Sequence, residues 1–139
     1  MSFLKEKSNF NLDAAKLLID KYSYHAPSVH CSYYGVFQYI TTTLNSLGET
    51  YDKISSDIVN SRGTKQPLGS HEYPIKLIVE KVTAKSDTIY GNDVKNKIKD
   101  LKTFRRIADY ENVEITDTES TKALRLGVEI IALIKKKLS

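Results

Sequence analysis

Six glycines and three prolines are all that these 139 residues contain. So few breakers leave little room for tight turns and predict a small number of long elements with short connections. Apolar residues recur with the period of a helix in four or five segments, and no segment alternates as a strand would. The expected fold is all-α: an up-and-down bundle of four main helices plus a short extra helix, with residues 1–139 forming one domain. Hydrophobic residues are 40% of the chain and charged ones 27%, enough to fill one core of this size without a disulfide or a metal.

The pattern places a first helix from about Asn11 to Tyr24, with Ala14, Ala15, Leu18 and Tyr22 on one face. Pro27 is expected to break the chain there, with Ser28 capping a second helix. Val29, Ser32, Tyr33, Val36, Ile40, Thr43 and Leu47 form the stripe of that helix, which Gly48 ends. In the polar stretch Glu49 to Gly69, Tyr51, Ile54 and Ile58 have the spacing of a short helix, and Arg62 to Pro67 reads as loop. A third main helix begins near Ser70 and carries Ile75, Ile78, Val79 and Val82. Lys85 to Gly91 reads as a connection, and Asn92 or Asp93 as the cap of a helix reaching Asp109. Thr116 and Glu119 have capping-box spacing, and the last helix carries Ala123, Leu124, Gly127, Ile130, Ile131, Ile134 and Leu138. Lys135-Lys136-Lys137 suits the negative end of its dipole.

Several function classes fall away. A single cysteine, Cys31, excludes an intramolecular disulfide or a cysteine-based zinc cluster and suggests a reducing compartment. With three histidines and no HExxH, neither a metal nor another cofactor is implied. MSFLKEKSNF has no apolar run after it, so no signal peptide is expected; Leu126 to Ile134 is about half a membrane span. The expectation is a cytoplasmic protein with no membrane partner. A net charge of +4 is too mild to argue for nucleic acid by itself.

Arg105 is the most informative position. At 100° per residue it falls among Val94, Ile98, Leu101 and Ala108, where a core or an interface groove should lie. A guanidinium cannot shed its proton and is costly to bury alone, so an anion should meet it. Asp109 stands one turn on, and the choice lies between an internal Arg105–Asp109 clamp and an anion site that also includes Arg106 and the Tyr110 hydroxyl. Lys95, Lys99, Lys102 and Arg106 make one basic face, either a solvated surface or a grip for a phosphate backbone. His71 sits in the first turn of a helix, where the dipole favours neutral imidazole and hence a usable base. His25 and His30 flank the Pro27 turn, and Cys31 reads as a packing residue.

Three segments carry a family resemblance. Ser32-Tyr33-Tyr34-Gly35-Val36-Phe37 is similar to the YYAxF segment of HEPN proteins (higher eukaryote and prokaryote nucleotide-binding). Gly69-Ser70-His71, leading into Ile75-Lys76-Leu77-Ile78, looks like the loop-to-helix step of that family. Arg105-Arg106-Ile107-Ala108-Asp109-Tyr110 resembles the RxxADY ending of the fourth helix in a small bacterial and archaeal branch. The resemblance covers nearly the whole chain. It implies a helical bundle, usually a homodimer, often paired with a minimal nucleotidyltransferase in a toxin–antitoxin-like system. Many such proteins are metal-independent ribonucleases using an arginine and a histidine with four to six residues between them. Here Arg105 matches the arginine, but Tyr110 stands at the earliest histidine position and no histidine follows through Ser139. Phosphodiester cleavage needs a proton acceptor and donor near neutrality, and a tyrosine with a pKa of about 10 serves poorly. The expected function is therefore a non-catalytic or weakly catalytic module that binds a nucleotide, RNA or partner protein through Arg105, Asp109, Tyr110 and Arg106. The alternative is a ribonuclease using Arg105 with Tyr110 or His71.

Overall fold

The computed structural model describes residues 3–138 as an all-α bundle. In chain order the helices are α1 (Phe3–Asp20), α2 (His25–Ser46), α3 (Tyr51–Ser61), α4 (Glu72–Lys85), α5 (Thr88–Tyr110) and α6 (Asp117–Leu138). Among the described residues there are five helices of 14 residues or more and the 11-residue α3, so the apolar stripes above mark one main helix more than the four of the expected bundle. The central element is α2, which touches α1, α4, α5 and α6, while α3 leans on α4. The core comprises Val29, Tyr33, Val36, Ile40 and Leu44 of α2, with Ile78, Val82, Val94, Ile98, Leu101, Ile130 and Ile134 from its neighbours.

Small residues let α1 approach α2 closely. Ser8 Oγ donates to the Gly35 carbonyl at 2.6 Å, and Ser28 Oγ donates to the Ala15 carbonyl at 2.7 Å. A Cβ on Gly35 would meet Leu12 at 3.1 Å and the Ser8 carbonyl at 3.2 Å, so glycine keeps this seam tight. Ser28 is thus a buried bridge between helices and not the N-cap expected of it.

Other boundaries move for local reasons. The first helix begins at Phe3, well before Asn11, and ends at Asp20. The reversal is made at Ser23, whose φ of 54° is left-handed, and leaves Tyr22 half exposed and stacked on Tyr24. Pro27 falls inside the first turn of α2, where its missing N–H breaks no helical hydrogen bond, so it does not interrupt the helix. Asp87 caps α5, its Oδ1 accepting from Tyr90 N at 2.7 Å, so neither Asn92 nor Asp93 is the cap. The connection shrinks accordingly, and Gly91 lies buried in the first turn of α5 against Thr83. Leu47 lies past the end of α2 and is exposed; Tyr51 also points outward, while Ile54 is buried.

Gly48, with a φ of 90°, ends the α2 segment as expected. The capping box also forms: Glu119 N donates to Thr116 Oγ1 at 3.2 Å and Thr116 N to Glu119 Oε1 at 3.1 Å. Among the described residues no helix is long and apolar enough to cross a membrane.

Candidate functional site

The C-terminal half of α5 lies against α2 and brings Arg105 over a cluster of aromatic rings. Its guanidinium carbon stands 4.7 Å from the Tyr33 ring centroid and 5.8 Å from those of Tyr34 and Tyr110. The side chain is only 11% exposed, so ring faces supply much of the electrostatic compensation for its charge. The expected Arg105–Asp109 clamp is loose, with Nη1 3.9 Å from Asp109 Oδ2. That oxygen is held more closely by His30 Nδ1, at 2.9 Å. Arg105 Nε is buried and has no hydrogen-bond partner.

His71 comes to the same cluster from the start of α4. It occupies the N-cap position but makes no side-chain cap. Its Nδ1 is 2.8 Å from Tyr33 Oη, and its ring stacks on Phe37 at 4.3 Å between centroids. Burial, then the positive charges of Arg105 and Lys102, push His71 below its ordinary pKa of 6.5 and keep it neutral at pH 7. Burial likewise pushes the Tyr33 phenol up to about 12, against the opposing pull of Arg105. A phenol that keeps its proton and an imidazole that lacks its second make a matched donor and acceptor pair. Tyr33 is thus both core and site, with its ring packed under Arg105 and its hydroxyl turned to α4.

A groove of about 490 Å³ opens beside this cluster, lined by Lys99, Lys102, Thr103, Arg105, Arg106 and Tyr110. Two of its cations are partly neutralised: Lys102 Nζ by Glu72 at 2.6 Å and Arg106 Nη1 by Glu111 at 2.7 Å. Lys102, through its hydrogen bond, holds the Glu72 carboxyl below the usual carboxylate range. Lys99 has no carboxylate within ion-pair distance among the described residues. Tyr110 is 75% exposed at the groove's edge, with the Arg105 guanidinium on one side of its ring. Lys95 does not join this groove. It lines a separate cleft of about 440 Å³ between α4 and α5, floored by Ile75, Val79 and Ile98, which shares Lys99 and Lys102 with the groove.

The structure therefore brings Arg105, Arg106, Asp109, Tyr110, Lys99, Lys102 and His71 into one region. It also adds four residues that sequence reasoning left outside the site: His30, Tyr33, Tyr34 and Phe37. With α2 continuous from His25, positions 30, 33, 34 and 37 share one face at i, i+3, i+4 and i+7. That spacing is already present in the helix expected from Ser28 onward; what it does not show is that α4 and α5 pack on this face. Cys31 is half-buried and its thiol is pushed up by desolvation, which fits a packing residue and not a nucleophile. Among the described residues no three His, Cys, Asp or Glu side chains are grouped to hold a metal ion. The chain matches no family model, and no curated protein or solved structure shows significant similarity to it.

Proposed function

We propose that the groove beside Arg105 binds the phosphates of single-stranded RNA or of a nucleotide. The observation that carries this reading is the under-satisfied state of Arg105: its carboxylate neighbour is 3.9 Å away and its Nε has no partner. A phosphate supplies acceptor oxygens in the geometry a guanidinium fork matches, and Lys99 and Lys102 lie along the same groove for the next one. The exposed Tyr110 ring offers a face on which a base can stack. The resemblance of Tyr33-Tyr34 and of Arg105 to Tyr110 to the HEPN segments points the same way. A paired nucleotidyltransferase belongs to the same proposal, with Tyr110 as its accessible hydroxyl.

Salt dependence tests this binding. Each phosphate neutralised on a single strand contributes a slope of about −0.7 to log K against log salt. Engagement of Lys99, Lys102, Arg105 and Arg106 together predicts a slope of about −3 for a short labelled RNA. A slope near zero overturns the proposal.

One observation favours cleavage as a second reading. The Asp109 carboxylate accepts from His30, which assigns the proton to Nδ1 and leaves Nε2 free to take a proton from a ribose 2′-hydroxyl. As the 2′-oxygen bonds to phosphorus and the P–O5′ bond breaks, Arg105 would face the charge that develops on the phosphate. The 5′-oxygen would leave with the proton that His30 took from the 2′-hydroxyl. This arrangement predicts ends bearing 2′,3′-cyclic phosphate and 5′-hydroxyl, lost in His30→Gln. Intact RNA after long incubation at high protein concentration overturns this second reading and leaves the first standing.

A further inference from the structure

The cleft between α4 and α5 joins an apolar floor to a charged mouth. Ile75 and Val79 of α4 and the buried Ile98 of α5 form the floor. Only two residues link these helices, so they run antiparallel, and the Lys102–Glu72 ion pair at 2.6 Å fixes their register at one end of the cleft. One turn further along, four residues on in α4 and three back in α5, Lys76 stands across from Lys99. A second turn brings Glu80 across from Lys95. Only the first of these three steps closes an ion pair. Among the described residues no carboxylate lies within ion-pair distance of Lys76, Lys95 or Lys99. Two ammonium groups therefore face one another over hydrocarbon, and an anion between them would relieve their repulsion. Below that anion the floor offers contact to an apolar body, and the alkyl stems of the lysines extend it.

We propose that this cleft binds a medium-chain aliphatic carboxylate, its head between Lys76 and Lys99 and its chain along Ile75, Val79 and Ile98. A volume of about 440 Å³ suits a small ligand. Three floor residues are too few to seat the i, i+3, i+4, i+7 row of a partner helix. A nucleobase fits less well, because the lining has no aromatic face to stack on and no Asn or Gln amide to read its edge. A bilayer surface would meet the lysine heads and leave the recessed floor untouched. Lys99 and Lys102 also border the Arg105 groove, but Ile75, Lys76, Val79 and Lys95 do not, so this site does not depend on how that groove is read.

Calorimetric titration of the full chain with decanoate, kept below its micelle concentration, tests the proposal. One molecule should bind per chain, with helical content by circular dichroism unchanged. Octanoate, two methylenes shorter, should bind up to roughly fifteenfold more weakly, at about fourfold per buried methylene. Decanol, which has the same chain and no charge, should lose roughly tenfold. Lys76→Gln should lose about as much for decanoate, and Lys76→Arg should recover most of it. Lys16→Ala, on α1, should bind as the wild type does. The proposal is overturned if decanoate binding does not saturate, if Lys76→Gln binds it as tightly as the wild type, or if decanol binds equally well. It is equally overturned if chain length makes no difference, or if many molecules bind with loss of helix, as a detergent would.

Discussion

Replacing Tyr33 by phenylalanine separates the two roles of this side chain. The ring stays, and with it the packing against Phe37 and the Arg105 guanidinium 4.7 Å from its centroid. What goes is the hydroxyl that meets His71 Nδ1 at 2.8 Å. A neutral hydrogen bond contributes about 1 kcal/mol net, and a partner left unsatisfied in a dry site adds to the loss. His71 is only half-buried, so water can reach it, and the expected cost stays near the low end, about 1–1.5 kcal/mol. For a chain of this length that corresponds to a fall in Tm of roughly 3–6 °C. Tyr33→Ala removes the ring as well, and emptying a 1%-exposed aromatic site should cost about 3–5 kcal/mol. Urea melts of the three proteins, fitted with a common m-value, give both differences. If Tyr33→Phe unfolds at the wild-type midpoint, the bridge between α2 and α4 contributes nothing and the description of the cluster is wrong. If it loses as much as Tyr33→Ala, the hydroxyl and not the packed ring is what holds Tyr33 in place.

Two further outcomes follow from the same geometry. His71 has a folded-state pKa below its ordinary 6.5, so the unfolded chain takes up the proton first as pH falls. Its contribution to stability is complete above 6.5 and drains away below it; His71→Gln should flatten the stability profile just below pH 6.5, and an unchanged profile contradicts the assigned burial. At Gly91 a Cβ would collide with Thr83 Oγ1, which donates to the Val79 carbonyl at 2.7 Å. Gly91→Ala should therefore lower stability by about 1–2 kcal/mol despite the better helix propensity of alanine, and Thr83→Ala in the same chain should recover most of it, as thermal melts would register.

The helical class and the core were legible because they rest on long periodic stripes. Ile78, Val82, Val94, Ile98, Leu101, Ile130 and Ile134 could all be read from spacing alone, and all are buried. The capping box was legible because it is a local bargain between two side chains and their own backbone. Boundaries were less so wherever one residue type permits two outcomes. Proline stops a helix from its interior but is welcome in the first turn, and only the packing of Ser28 on Ala15 decides that α2 starts before it. Asp87 and Asp93 are both good caps by composition, and burial of Gly91 against Thr83 selects the earlier one.

The site divides in the same way. Arg105 was legible because a cation in an apolar stripe contradicts its surroundings. Its neighbours were not, since His30, Tyr34 and His71 reach it from other helices across 75, 71 and 34 positions of sequence. No local spacing encodes which rings will stack under a guanidinium. That Asp109 serves His30 in preference to Arg105 was hidden too, because the i,i+4 relation to Arg105 is visible in the chain and the long-range one is not.

The affinity of the folded Arg105→Ala variant for a short single-stranded RNA tests the central claim most directly. Charge-assisted hydrogen bonds contribute about 1.5–3 kcal/mol, so the expected loss is roughly tenfold to a hundredfold at fixed low salt. Lys76→Ala, on the neighbouring cleft and outside the groove, should bind as the wild type does. Equal affinities for Arg105→Ala and wild type, with circular dichroism showing both folded, would contradict it.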